Sequence, residues 1–173
     1  MPSVRFTFTP QAHISVTLAQ EFPYVHRDEA YTFALFRDCG MPPMMVNFRE
    51  YEPVFPGMKV PNDANVIEYE NDEHGVNHAR AGCYLAKTWL LPEEIHRAIL
   101  WHHNYPAVQD DSAGLAIASS RNIALAAEAV YVKLKMGTHS AEWRKGASFA
   151  LAALDITLAD LDGAAQRLVA QFG

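Results

Sequence analysis

Apolar residues recur at helical spacing along most of the chain, and the stretches between them carry helix starts and stops. In PQAHISVTLAQEF, Ile14, Leu18 and Phe22 form one stripe, with Thr9 the expected N-cap and Pro10 the first helical position. Asp28 is the expected cap of a second helix, EAYTFALFRDCG, which Gly40 should end in the left-handed conformation. Met45, Phe48, Tyr51 and Phe55 keep near-helical spacing until Pro53 and Pro56 intervene, and PGMKVPNDAN reads as a loop. NHARAGCYLAKTW places Ala79, Gly82, Cys83, Ala86 and Leu90 on an inward stripe. Pro92 opens the next helix, and Glu93 and Glu94 suit its positive end. A long alanine-rich helix follows Asp111 and Ser112 and closes at Gly137. Ser140 and Thr157 cap two further helices, the second with the capping-box pattern TLAD. Only VRFTF alternates like a strand. The pattern predicts one all-α domain over residues 1–173, without repeats or a linker.

Composition narrows the classes of function. A chain of 173 residues fits a single core. A net charge of -6 with scattered Lys and Arg argues against a nucleic-acid partner. No apolar run is long enough to span a membrane, and the first residues lack the pattern of a secretory signal. Cys39 and Cys83 are too few for a disulfide framework, so a cytoplasmic location is expected.

Histidine is the chemical signal. Five of the eight histidines fall between His74 and Tyr105. His102 follows Ile95, Ala98 and Ile99 at helical spacing, so it should face the core, where an unpartnered imidazole costs about 1–3 kcal/mol. His103 lies a quarter-turn away, and His78 starts its helix beside the apolar stripe. Asp38 ends an apolar helix and can supply a hard oxygen ligand, and His13 lies on a helix able to pack against that end. Converging from several helices, these groups suit a di-cation or phosphate site. Two plainer readings stand beside it. Paired histidines also suit the negative end of a helix, and Arg37-Asp38 also suits a solvated charge pair. His74 and His78 are four apart, but Gly75 lies between them and the glutamate of HExxH is missing.

The block ENDEHGVNHARAGCYLAKTWLLPEEIHRAILWHHNY closely resembles HDOD domains, relatives of the HD and HD-GYP metal-dependent phosphohydrolases. Glu70, Gly75, His78-Ala79, Gly82, Leu85, Trp89, Pro92, Ile95, Ala98-Ile99 and His102-His103 carry the match, and EAYTFALFRDCGM is similar to the family's His-Asp doublet region. The resemblance extends over most of residues 10–172 and implies an HD-domain-like helical bundle. It also implies a divalent-ion site (iron, manganese or zinc) at Asp38, His78, His102 and His103, with His13 or Gln11 at the first family histidine. The doublet histidine is replaced by Arg37, which cannot ligate a cation, and Ser120 or Asn122 stands where the family closes its signature with aspartate. The family's usual first helical segment is not evident, so this chain is expected to be a shortened homologue, the C-terminal part of a larger protein, or a chain with a misplaced start.

Two functions follow from the resemblance. One is a non-catalytic signal-transduction domain with a degenerate metal site, working through a protein partner or a small phosphorylated ligand. The other is a metal-dependent phosphohydrolase acting on a nucleotide or cyclic nucleotide, with Arg37 as a phosphate contact.

Overall fold

A computed structural model describes residues 8–22, 25–51, 66–105 and 115–172. It is all-α. In chain order the helices among these residues are α1 (Phe8–Glu21), α2 (Arg27–Phe36), α3 (Met41–Asn47), α4 (Val66–His74), α5 (His78–Thr88), α6 (Glu93–Trp101), α7 (Leu115–Met136), α8 (Ala141–Leu154) and α9 (Leu158–Phe172). Of VRFTF, the short alternating stretch, only Phe8 is described, and it opens α1; residues 4–7 lie outside the described residues, as do Phe55, PGMKVPNDAN, Asp111 and Ser112.

The long helix α7 is the centre of the bundle, with α1, α2, α6, α8 and α9 packed around it. Its run from Ser120 to Val130 is buried throughout, as befits a helix with neighbours packed around it. Leu18, Phe22, Ile123, Leu125, Val130, Trp143, Leu161 and Leu168 make the larger core. A second core, with Phe33, Ala86, Ile95 and Ile99, ties α2 to the α5–α6 hairpin, and Met41, Met44 and Tyr51 form a third beneath α3.

Several caps stand where the sequence puts them. The Ser140 hydroxyl accepts from the Trp143 N–H at 3.0 Å, Thr157 and Asp160 bond reciprocally, and Gly137 has φ +69° after α7. Other boundaries differ. The first helix already includes Phe8, so Thr9 lies inside it, and His26 is the residue before α2, leaving Asp28 in the first turn.

Leu90 is 88% exposed rather than inward. It takes the left-handed position after α5 (φ 58°), where the Leu91 N–H reaches back to the Ala86 carbonyl at 3.0 Å. The apolar spacing runs past the point where the chain turns toward Pro92, so periodicity carried the stripe one residue too far. The polar helix α4 was not expected, because VIEYENDEH shows little apolar spacing.

Gly40 does not close α2 in the left-handed region; its φ is -76°. A Cβ there would lie 2.0 Å from the His78 carbonyl oxygen and 2.5 Å from the Gly82 nitrogen. Glycine is needed because two main chains touch, and that contact seats the α2–α3 turn on the first turn of α5.

Candidate metal centre

Three backbone segments deliver the cluster. Asp38 comes from the turn between α2 and α3, held against α5 by the Gly40 contact. His78 opens α5, where the Asn77 side chain caps the Arg80 N–H at 2.8 Å. His102 and His103 sit in the turn that ends α6, closed by the Asn104 N–H on the Trp101 carbonyl at 2.9 Å.

The side chains meet with their Nε2 atoms foremost. His78 Nε2 lies 3.3 Å from His102 Nε2 and 3.0 Å from His103 Nε2. Asp38 Oδ1 lies 3.2 Å from His102 Nε2 and 3.6 Å from His78 Nε2. One ligand atom from each of the four residues falls within 4.8 Å of every other. Asp38, His78 and His102 are buried and His103 partly so.

Each imidazole is fixed from behind. His78 Nδ1 lies 2.7 Å from Glu70 Oε2, and the same carboxylate accepts the His78 main-chain N–H and the Tyr51 hydroxyl. His102 Nδ1 donates to the Ile99 carbonyl at 2.6 Å. His103 Nδ1 lies 2.7 Å from Glu142 Oε2, which also takes the Tyr105 hydroxyl. All three Nδ1 partners are acceptors, so Nδ1 carries the proton and each neutral ring turns an Nε2 lone pair toward the others.

Lone pairs facing one another at 3.0–3.3 Å require positive charge between them. Tetrahedral ligands about 2.1 Å from a metal ion stand ~3.4 Å apart, and the separations here bracket that distance. Three imidazole nitrogens, one carboxylate oxygen and acceptors behind every ring therefore fit a divalent ion. Without metal, a proton meets part of the need. Burial works against protonation of His78, but the Glu70 hydrogen bond and charge outweigh it and raise its pKa. His102 goes the other way, down to about 3, through burial and the neighbouring His103. Asp38 stays ionised despite burial, because Arg37 and then His102 and His78 hold it well below the usual carboxylate range.

Arg37 points into the protein. Its Nε donates to Asp38 Oδ2 at 3.0 Å, and Nη2 pairs closely with Glu128 of α7 and more weakly with Gln11 of α1. At 8% exposure the pair is neither solvated nor an open phosphate contact. Asp38 thus faces the histidines with one oxygen and the guanidinium with the other.

His13 lies outside the cluster, exposed on α1 with its ring 5.7 Å from that of Tyr31. Gln11 takes the inward position, because a residue two places along a helix turns roughly 200° away. His74 packs on Phe48 and Tyr51. Ser120 and Asn122 are buried on α7, with Ser120 Oγ and Asn122 Nδ2 lacking a hydrogen-bond partner among the described residues. Unforeseen from sequence were Tyr51, Tyr105, Glu128 and Glu142. Glu128 had left a signal, as the one acid within the apolar run ALAAEAVYV.

No curated protein and no solved structure matched the chain. A family model described as HDOD domain matches residues 8–105. The matched span ends just past the paired histidines, short of α7 to α9, and so stops before the end of the resemblance read over residues 10–172. It contains all four clustered ligands and the buried arginine, and covers more than half of the sequence: the chain belongs to the HDOD domain family.

Proposed function

We propose that this is a non-catalytic HDOD-type regulatory domain that holds one divalent ion on Asp38, His78, His102 and His103. The observation that carries the reading is the Arg37 bridge to Asp38 and Glu128 beside a four-ligand cluster. Four protein ligands complete a tetrahedral shell, as in structural sites, whereas hydrolytic sites keep a position open for water. Beside that shell, the guanidinium occupies Asp38's second oxygen and neutralises Glu128, so no second cation is needed there.

The ion's role on this reading is to tie the α2–α3 turn, α5 and the end of α6 together, setting the surface that a protein partner in a signalling pathway meets. The acidic composition supports a partner other than nucleic acid. No helix among the described residues is long and apolar enough to cross a membrane.

The test is elemental analysis of protein purified without added metal, together with a phosphodiester assay. About one equivalent of iron, manganese or zinc is expected, lost in His102→Ala, with no turnover in the loaded protein. Hydrolysis of a cyclic dinucleotide or p-nitrophenyl ester that disappears in Asp38→Asn would overturn the non-catalytic reading in favour of a phosphohydrolase.

A further inference from the structure

Arg121, on α7, is a second buried guanidinium, only 7% exposed, and it differs from Arg37 in having no carboxylate partner among the described residues. Its Nη1 donates to the Trp101 carbonyl at 3.0 Å and to the Asn104 carbonyl at 3.1 Å. Its Nε and Nη2 are buried without a hydrogen-bond partner among the described residues. Burial lowers its pKa only to about 10, so it stays charged at neutral pH. The hydrogen bonds of this cation therefore go to the two carbonyls that bracket the His102-His103 doublet.

We infer that Arg121 is a positioning residue for the His102-His103 turn, anchoring it to the central helix so that both Nε2 atoms reach the cluster. The inference rests on the metal-centre reading above and adds a regulatory link to it: the set of α7 becomes a determinant of metal affinity. The physical grounds are threefold. The end of α6 leaves carbonyls without intrahelical donors, and a cation there also meets the negative end of the helix. A buried charge without a counter-ion is costly, so a residue serving only to fill space would be apolar. Finally, Glu142 of α8 reaches the turn through the His103 side chain, whereas Arg121 holds its main-chain carbonyls. Arg121 supplies an anchor to the main chain from another element.

The experiment compares native protein, Arg121→Met and Leu168→Ala, the last weakening the core from α9, which bears none of the clustered ligands. Two quantities are measured: amide hydrogen exchange at Asn104 in metal-free protein, and cobalt(II) affinity with its visible absorption spectrum. Arg121→Met should speed Asn104 exchange, weaken cobalt binding by about tenfold and alter the cobalt band, all beyond the effect of Leu168→Ala. If Arg121→Met and Leu168→Ala behave alike, or if exchange quickens while affinity and spectrum stay native, the assignment is overturned. If exchange quickens but native protein takes up no cobalt, the metal reading fails and the hold on the turn stands. Should Arg121→Met not fold, Arg121→Gln, which keeps one amide donor for a carbonyl, carries the same comparison.

Discussion

Arg37 and Glu128 form an ion pair that joins the α2–α3 turn to the middle of α7, and both side chains are at least nine-tenths buried. Because Arg37 also bonds to Asp38, one guanidinium serves two carboxylates. Replacing it with methionine leaves both acids in the core without their cation. A loss of about 3–5 kcal/mol is expected, the range for breaking a buried pair from one side. Chemical denaturation of metal-free Arg37→Met checks it, and the double variant Arg37→Met/Glu128→Gln should recover part of the loss.

Glu70 is saturated by the Tyr51 hydroxyl and by both the ring and the main-chain N–H of His78. In Glu70→Gln one oxygen becomes an amide donor facing those donors, so the His78 ring loses its fixed orientation. Metal affinity measured by chelator competition should fall about 10–100-fold. Glu142→Gln, behind His103, should lower it in the same way.

Metal-free protein should lose stability toward acid in two stages. His102 has its pKa lowered to about 3 by burial and by His103. Below about 6.5 the unfolded chain takes up a proton there that the folded chain refuses, and stability falls. Below about 4, Asp38 and Glu142 add to the fall. Burial opposes their ionisation, but Arg37 at Asp38 and the His103 hydrogen bond at Glu142 outweigh it and depress both folded pKa values. Stability from these acids is present above the unfolded carboxylate pKa and is lost as pH falls toward the folded one. His78, raised in the folded state, acts in the opposite window: its contribution is full below about 6.5 and fades as pH rises through the folded pKa. Thermal midpoints across pH 3–8, with His102→Gln removing the first stage, test this order.

A methyl group at residue 40 has no room, because the His78 carbonyl lies 2.0 Å from where its carbon would sit. Main chain cannot turn aside as a side chain can. Gly40→Ala should therefore cost more than the ~1–3 kcal/mol of ordinary overpacking and also weaken metal binding, since it parts the Asp38 turn from α5. Gly146→Ala makes a useful contrast. Its Cβ meets side-chain atoms of Leu125 and Tyr105 at 2.5–2.7 Å, and a milder loss is expected because those side chains can shift.

The order of most helices was legible because apolar spacing reports which face turns inward, and His102 was placed inward on that ground alone. What periodicity cannot report is the partner on the other element. Glu70 could be matched to a family position, yet its bond to His78 depends on a helix, α4, too polar to be read as one. Glu142 sits in the first turn of α8, where acids are common for reasons of helix dipole alone. His13 was drawn in by its chemistry, while Gln11 held the inward position. Leu90 shows the same limit at a boundary: spacing continues in the sequence after the hydrogen bonds of α5 have ended.

The two sides of Asp38 thus offer places for positive charge of different permanence. The guanidinium of Arg37 is part of the polypeptide and arrives with synthesis, whereas any ion among the histidines must be captured from the surroundings. A bundle built this way can assemble its Asp38–Glu128 half before encountering metal, and a chelator acts on the imidazole half alone. On the proposed reading, metal supply would then act on the set of three segments, with the central helix already in place.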